Sequence, residues 1–212
     1  MKIAKNLRPK NLYNKTVFIE IEIHELFLYK NFGKKLKNAF KMDPQNKFQT
    51  IPLYIVWAEK CNFLRKAIRN NYFKSKCFYW IDAGWFRKPE EIRNFTNGWP
   101  LPNKCYEDNR VLMNLVVNFT TKKIIRIKQF NAKDIEKLIK DVLVAAGMFG
   151  GQKEKLIKFI DLYYDALYLF EKNKLFIGKE QNIFAYISFK YPEIVKLVYS
   201  KGDYFYFKKY LS

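Results

Sequence analysis

The residue whose type and place first suggest chemistry is Asp82. It closes the run Ser75-Lys76-Cys77-Phe78-Tyr79-Trp80-Ile81-Asp82, and Ala83-Gly84-Trp85-Phe86-Arg87 follows. Phe78 to Ile81 are aromatic or β-branched without polar alternation, the pattern of a strand covered on both faces in a parallel or mixed sheet. Ala83 and Gly84 then let the backbone turn and let a ligand come close. Ligands of open α/β sheets sit beyond the carboxyl ends of the strands, so a carboxylate placed there is a candidate for binding or catalysis. An aspartate at such a turn also serves as a cap of the turn or of the next helix.

Two later stretches carry weaker signals of the same kind. Val142 to Ala146 is a short apolar run that Gly147-Met148-Phe149-Gly150-Gly151 breaks, and from Gln152 the residues Leu156, Ile160, Tyr163 and Leu167 recur at helical steps. Strand, glycine loop and amphipathic helix in that order offer free backbone N–H groups to an anion or a sugar hydroxyl. Neither a GxxxxGK[ST] loop nor a GxGxxG fingerprint is present, and Gly150-Gly151 alone also reads as a tight turn. Glu180 and Gln181 open a further helix after Gly178, where a carboxylate gains from the helix dipole, so Glu180 is either a cap or a site residue.

The elements that must position these residues follow from periodicity. Thr16 to Glu25 alternates, with Val17, Ile19, Ile21 and Ile23 on one side, and predicts a half-exposed strand with His24, the only histidine, solvated on its polar face. Leu26, Leu28, Phe32, Leu36 and Phe40 predict an amphipathic helix. Trp57, Cys61, Leu64 and Ile68 step by four, three and four and predict a helix to about Asn70, with Glu59, Lys60, Arg65, Lys66 and Arg69 mainly off the buried stripe. Gly, Pro and Asn between Lys88 and Pro102 predict a long loop of the kind that lids a site, with a short helix at Glu90 to Arg93. Strands are expected within Val111 to Phe119, at Ile124 to Ile127, at Ile194 to Val198 and at Tyr204 to Phe207, with a helix at Asp134 to Lys140.

Composition bounds the class. The 212 residues, 49% apolar, suffice for one α/β domain with a real core. No run of about 18 apolar residues is present to cross a membrane. The opening ten residues have charge but no apolar centre, unlike a secretory signal, so a cytoplasmic setting is the expectation. Cys61, Cys77 and Cys105 lack CxxC spacing and read as reduced, partly buried residues rather than zinc ligands or a disulfide framework. Forty Lys and Arg against 20 Asp and Glu give a formal charge of +20, a field attractive to phosphates, nucleic acid or anionic lipid. A basic module for nucleic acid or anionic surfaces is one reading. Against it, the aromatic residues fall largely on faces expected to be buried, and no RRM, KH or zinc-finger pattern is present.

Three separated stretches carry a second reading. Val56-Trp57-Ala58-Glu59-Lys60-Cys61-Asn62-Phe63-Leu64, then Phe78-Tyr79-Trp80-Ile81-Asp82-Ala83-Gly84 with Arg87, then Ala146-Gly147-Met148-Phe149-Gly150-Gly151 with Gly178-Lys179-Glu180-Gln181, resemble the HtrL/YibB family in order and spacing over roughly residues 50 to 200. Members of that family look like glycosyltransferases of the GT-A class. The resemblance implies a single-domain α/β GT-A-like fold, a mixed sheet flanked by helices, shortened at its N-terminus by the strand and helix with which family members usually begin. It implies a nucleotide-sugar donor and a glycan or other acceptor; apart from the resemblance, the dispersed excess of lysine suits peripheral contact with anionic membrane as an accessory property. The resemblance further implies that Asp82 meets the donor diphosphate through Mn²⁺ or Mg²⁺, that Lys60 and Arg87 neutralise phosphate oxygens, and that Gly150 and Gly151 let the sugar approach the backbone. Glu180, with Gln181, would face the reacting sugar as acceptor binder, general base or stabiliser. The usual Asp-x-Asp motif is reduced to one carboxylate, since Trp80 and Gly84 stand two residues to either side of Asp82.

Overall fold

The computed structural model of the chain describes residue 6 and residues 8–43, 45–86, 88, 99–117 and 143–212. Helix α1 (Phe27–Met42) buries Leu28, Phe32, Leu36 and Ala39 along one face. Its first turn is capped from outside: the Phe27 and Leu28 N–H groups donate to the two carboxylate oxygens of Glu59 at 3.1 and 2.7 Å. Glu59 lies on helix α2 (Ile51–Asn70), which has Pro52 in its first turn and ends on Asn71 in the left-handed conformation.

The sheet is mixed, as expected, with the order β1-β3-β2-β4 among the described residues. Strand β1 (Cys77–Ile81) is half-buried along its length, and β2 (Val111–Leu115) is fully buried. Helix α3 (Pro102–Tyr106), which periodicity did not predict, precedes β2. Strand β3 (Val144–Gln152) runs straight into helix α4 (Lys153–Lys172), and helix α5 (Glu180–Lys190) leads to β4 (Val195–Tyr199) and the short helix α6 (Phe207–Tyr210). β3 pairs antiparallel with both β1 and β2, while β2 and β4 are parallel.

Alternation along the strands divides the interior in two. Val111, Met113, Val144, Ala146 and Phe149 point into a large core shared with α1, α2, α4 and α5. Leu112, Ala145 and Met148 point the other way, onto a smaller cluster with Trp85, Phe207 and Leu211. Three layers result, with β3 buried between two apolar groups. No helix among the described residues is long and apolar enough to cross a membrane.

Several expectations change. Thr16 to Glu25 is not a strand: a 3-10 turn forms at Ile23–Glu25, Val17 and Ile19 are exposed, and only Ile21 and Ile23 of the alternating set reach the core. Alternation is necessary for a half-buried strand but does not supply the neighbour that completes its ladder. Gly147 to Gly151 is not a loop but continues β3. Gly150 has a reason to be glycine within that strand, since a Cβ there would stand 2.3 Å from the Phe78 carbonyl oxygen. Tyr204 to Tyr206 form turns that lead into α6, not a strand. Two of the cysteines are not reduced: Cys77 at the start of β1 and Cys105 in α3 form a disulfide, and only Cys61 is a free, buried thiol. The fold brings together residues 28 positions apart, which local spacing does not reveal. The expected helix at Glu90 to Arg93, strand at Ile124 to Ile127 and helix at Asp134 to Lys140 lie outside the described residues, as does most of the expected loop.

Candidate functional site

The centre of the site is a lysine inside the protein. Trp57, Lys60, Cys61 and Leu64 lie at helical steps of three, one and three, so Lys60 falls on the buried stripe of α2 rather than off it, and its side chain is 2% exposed. Its ammonium stands 3.0 and 3.2 Å from the two carboxylate oxygens of Asp82, 2.7 Å from Glu180 Oε1, and donates to the Ala146 carbonyl at 3.1 Å. Burial pulls the Lys60 pKa down, but the charges of Glu180 and Asp82 outweigh it, and the net shift is upward. The group therefore stays charged inside the fold.

Each partner is fixed by a different element. Asp82 follows the last residue of β1; its N–H donates to the Gly147 carbonyl at 2.8 Å, and the Trp80 indole N–H donates to its Oδ1 at 2.6 Å. Trp80 in turn stacks on Phe63 of α2, with ring centroids 5.8 Å apart. Glu180, 4% exposed, is the first residue of α5. The third partner depends on an irregularity in β3. Between Met113 and Asn114 of β2 the facing residue on β3 jumps from Phe149 to Ala145, so Ala146 to Met148 have no partner on β2. Breaks of this kind re-aim groups beside functional sites. Here the Ala146 and Gly147 carbonyls turn toward Lys60 and Asp82. Gly147 must lack a side chain, because a Cβ would lie 2.2 Å from the Trp85 ring and 3.1 Å from Asp82 Oδ2.

This cluster forms the floor of a cavity of about 760 Å³. Its walls include Trp57, Trp80, Trp85, Tyr204 and Phe205, with the amides of Gln45, Gln49 and Gln181 between them. Gln181 donates to the Tyr204 hydroxyl at 3.0 Å, and burial, then the charge of Glu180, pushes the Tyr204 pKa up to about 12, so the hydroxyl keeps its proton. At the rim Lys179 lies 2.8 Å from Asp43 Oδ2 and donates to Gln45 Oε1 at 2.8 Å, while the Tyr54 hydroxyl also donates to Asp43. Among the described residues of the lining, Lys60 and Lys179 balance Asp82 and Glu180.

A family model described as "bacterial protein of unknown function (HtrL_YibB)" matches residues 2–212. The chain belongs to the HtrL/YibB family. That match extends beyond the three stretches that first suggested it. No curated protein and no solved structure matches the chain.

In this HtrL/YibB member, Lys60, Asp82, Glu180 and Gln181 of the expected site residues line one cavity. Gly150 and Gly151 do not line it; they face Tyr79, Phe78 and Leu112 within the sheet. Arg87 lies outside the described residues. Sequence reasoning missed the glycine that matters at the floor, Gly147, and the aromatic walls. A signal for the walls was present, two tryptophans within three residues of Asp82, whereas the need for Gly147 comes from Trp85 and Asp82, remote in sequence.

A Mn²⁺ or Mg²⁺ ion does not fit the point where the donors of Asp82, Glu180 and Ala146 converge. The oxygens that converge here, from Asp82, Glu180 and Ala146, already surround an ammonium. Among the described residues no group of three or more His, Cys, Asp or Glu is arranged to hold a metal ion.

Proposed function

We propose that this chain is a glycosyltransferase of the GT-A type, or a relative that has kept its scaffold, and that it moves a sugar from a nucleotide-diphosphate donor to a glycan or other acceptor. The observation that carries the reading is the meeting of Asp82 and Glu180, remote in sequence, at the floor of one aromatic-walled cavity. Flat apolar walls with a few fixed polar groups suit a sugar ring, whose hydroxyls need acceptors and whose C–H face needs none. Asp82 is the carboxylate able to reach it, since its side chain is 35% exposed while Glu180 is enclosed. In the transfer the acceptor oxygen bonds to the anomeric carbon. The bond from that carbon to the diphosphate oxygen breaks, its electron pair leaving with the nucleoside diphosphate, and the acceptor proton passes to Asp82. Glu180 keeps Lys60 and Asp82 in register, and Gln181 with Tyr204 offers polar contacts to the ring.

Isothermal titration with a panel of UDP and GDP sugars tests the reading. Micromolar to millimolar binding of at least one donor, weakened at least about tenfold in Asp82→Asn, is the expected result. Failure of every donor to bind overturns it. The excess positive charge of the chain, +20 overall, supports an acceptor that is itself anionic or sits at an anionic surface.

A further inference from the structure

The oxygens at the cavity floor make a cation site, and a side chain fills it. Two carboxylates from separate elements and one main-chain carbonyl form the kind of donor set that a hard divalent ion takes. Their common centre is Lys60 Nζ, at 2.7 Å from Glu180, 3.0 and 3.2 Å from Asp82 and 3.1 Å from the Ala146 oxygen. An ammonium has three N–H donors and no acceptor, so three partners use all it has. Its stem belongs to the enclosed stripe of α2, and Trp80 adds a ring face 5.7 Å from Nζ. The break in the β2–β3 ladder frees the Ala146 carbonyl for this contact.

We propose that the Lys60 ammonium is the resident cation of this site and that a nucleotide-sugar donor binds here without Mn²⁺ or Mg²⁺. A dication at the centre has to displace an enclosed side chain, and Mg²⁺ needs its oxygens about 2.1 Å away, far closer than an ammonium holds them. A dication on the outer face of Asp82 has one carboxylate and a positive charge directly behind it. Lys60 acts as a positioning residue: it sets the two carboxylates and leaves the leaving diphosphate to other groups. The consequence for donor binding rests on the glycosyltransferase reading, whereas the cation assignment does not.

Mn²⁺ alone, followed by electron paramagnetic resonance with the full chain and no nucleotide, tests the assignment directly. Wild type is expected to leave the free Mn²⁺ signal unchanged into the millimolar range. Lys60→Ala, which opens two carboxylates and a carbonyl, is expected to take up Mn²⁺ at least about tenfold more tightly than wild type. Lys60→Met, which keeps the stem, replaces it if the alanine variant fails to fold. Uptake by wild type that Asp82→Asn abolishes overturns the proposal. Donor titrations in EDTA and in Mn²⁺ complete the test: equal affinities support it, and a tenfold gain with metal overturns it. If no donor binds in either condition while wild type leaves Mn²⁺ free, the glycosyltransferase reading falls and the cation assignment stands.

Discussion

Lys60 at the floor of the cavity and Lys179 at its rim both bind carboxylates, yet only the first is enclosed. Lys60 is 2% exposed and serves two carboxylates that arrive from β1 and α5, whereas Lys179 is 21% exposed and serves Asp43 from the end of α1. The floor is thus assembled across the fold, and its lysine cannot leave without stranding two charges. The rim joins two loops, and its lysine is partly exposed while Asp43 also accepts from Tyr54 and the Gln45 N–H. Lys179 and Glu180 are adjacent in sequence, so neighbouring residues belong to the more exposed and the enclosed part of the same cavity wall.

The largest test of that contrast is a pair of substitutions. Removing one partner of a buried charge cluster costs about 3–5 kcal/mol, or roughly 10 °C of melting temperature in a chain of this size, and Lys60→Met is expected to show it. Lys179→Met is expected to cost less, about 1–2 kcal/mol, because the enclosed Asp43 keeps the hydrogen bonds of Tyr54 and the Gln45 N–H. Equal losses in thermal unfolding erase the distinction between floor and rim.

Two glycines sharpen it further. Gly147→Ala has to push Trp85 or Asp82 aside and is expected to cost about 1–3 kcal/mol, with a parallel loss of donor affinity. Gly84 also lines the cavity, but a Cβ there meets nothing within 4 Å, so Gly84→Ala is expected to leave stability within about 0.5 kcal/mol. Denaturant titration of both variants decides whether the floor is as tightly packed as its contacts imply.

The smallest effect is one of pH. Burial pushes the Asp43 carboxyl up, but hydrogen bonds from Lys179, Tyr54 and the Gln45 N–H outweigh it and hold the pKa below its ordinary 3.8. A carboxyl that takes its proton less readily when folded stabilises the fold fully above that ordinary value, and the contribution is lost as pH falls through the lower folded one. Lys60 works at the opposite end: with its pKa raised above 10.5, its contribution is whole below that pH and is lost only as pH rises through the folded value. Asp43→Asn is therefore expected to flatten the acid limb of a stability–pH curve by about 1 kcal/mol. An acid limb as steep as that of the wild type breaks the assignment.

Much of the scaffold was legible because the interior enforces periodicity. The stripe Leu28, Phe32 and Leu36 marks α1, which has one layer to face, and the unbroken apolar runs at Phe78 and Val111 mark β1 and β2, which are covered on both sides. Legibility failed where a partner far away in sequence decides. The Thr16 to Glu25 alternation has no adjoining strand among the described residues. The glycines of β3 read as a turn, since nothing local shows that β1 and β2 press on their backbone. Lys60 was assigned to phosphate, and it is the two remote carboxylates that draw it inward. Asp82 and Glu180 were identifiable by position, whereas their meeting at one lysine requires the completed sheet.

The link between Cys77 and Cys105 gives the segment that holds Asp82 a topology of its own. Everything from residue 78 to residue 104 is a closed covalent ring, of which β1 and the carboxylate form one side. A protease that cuts once inside this ring opens it without releasing a fragment, so the nicked chain migrates as one species until a reductant is added.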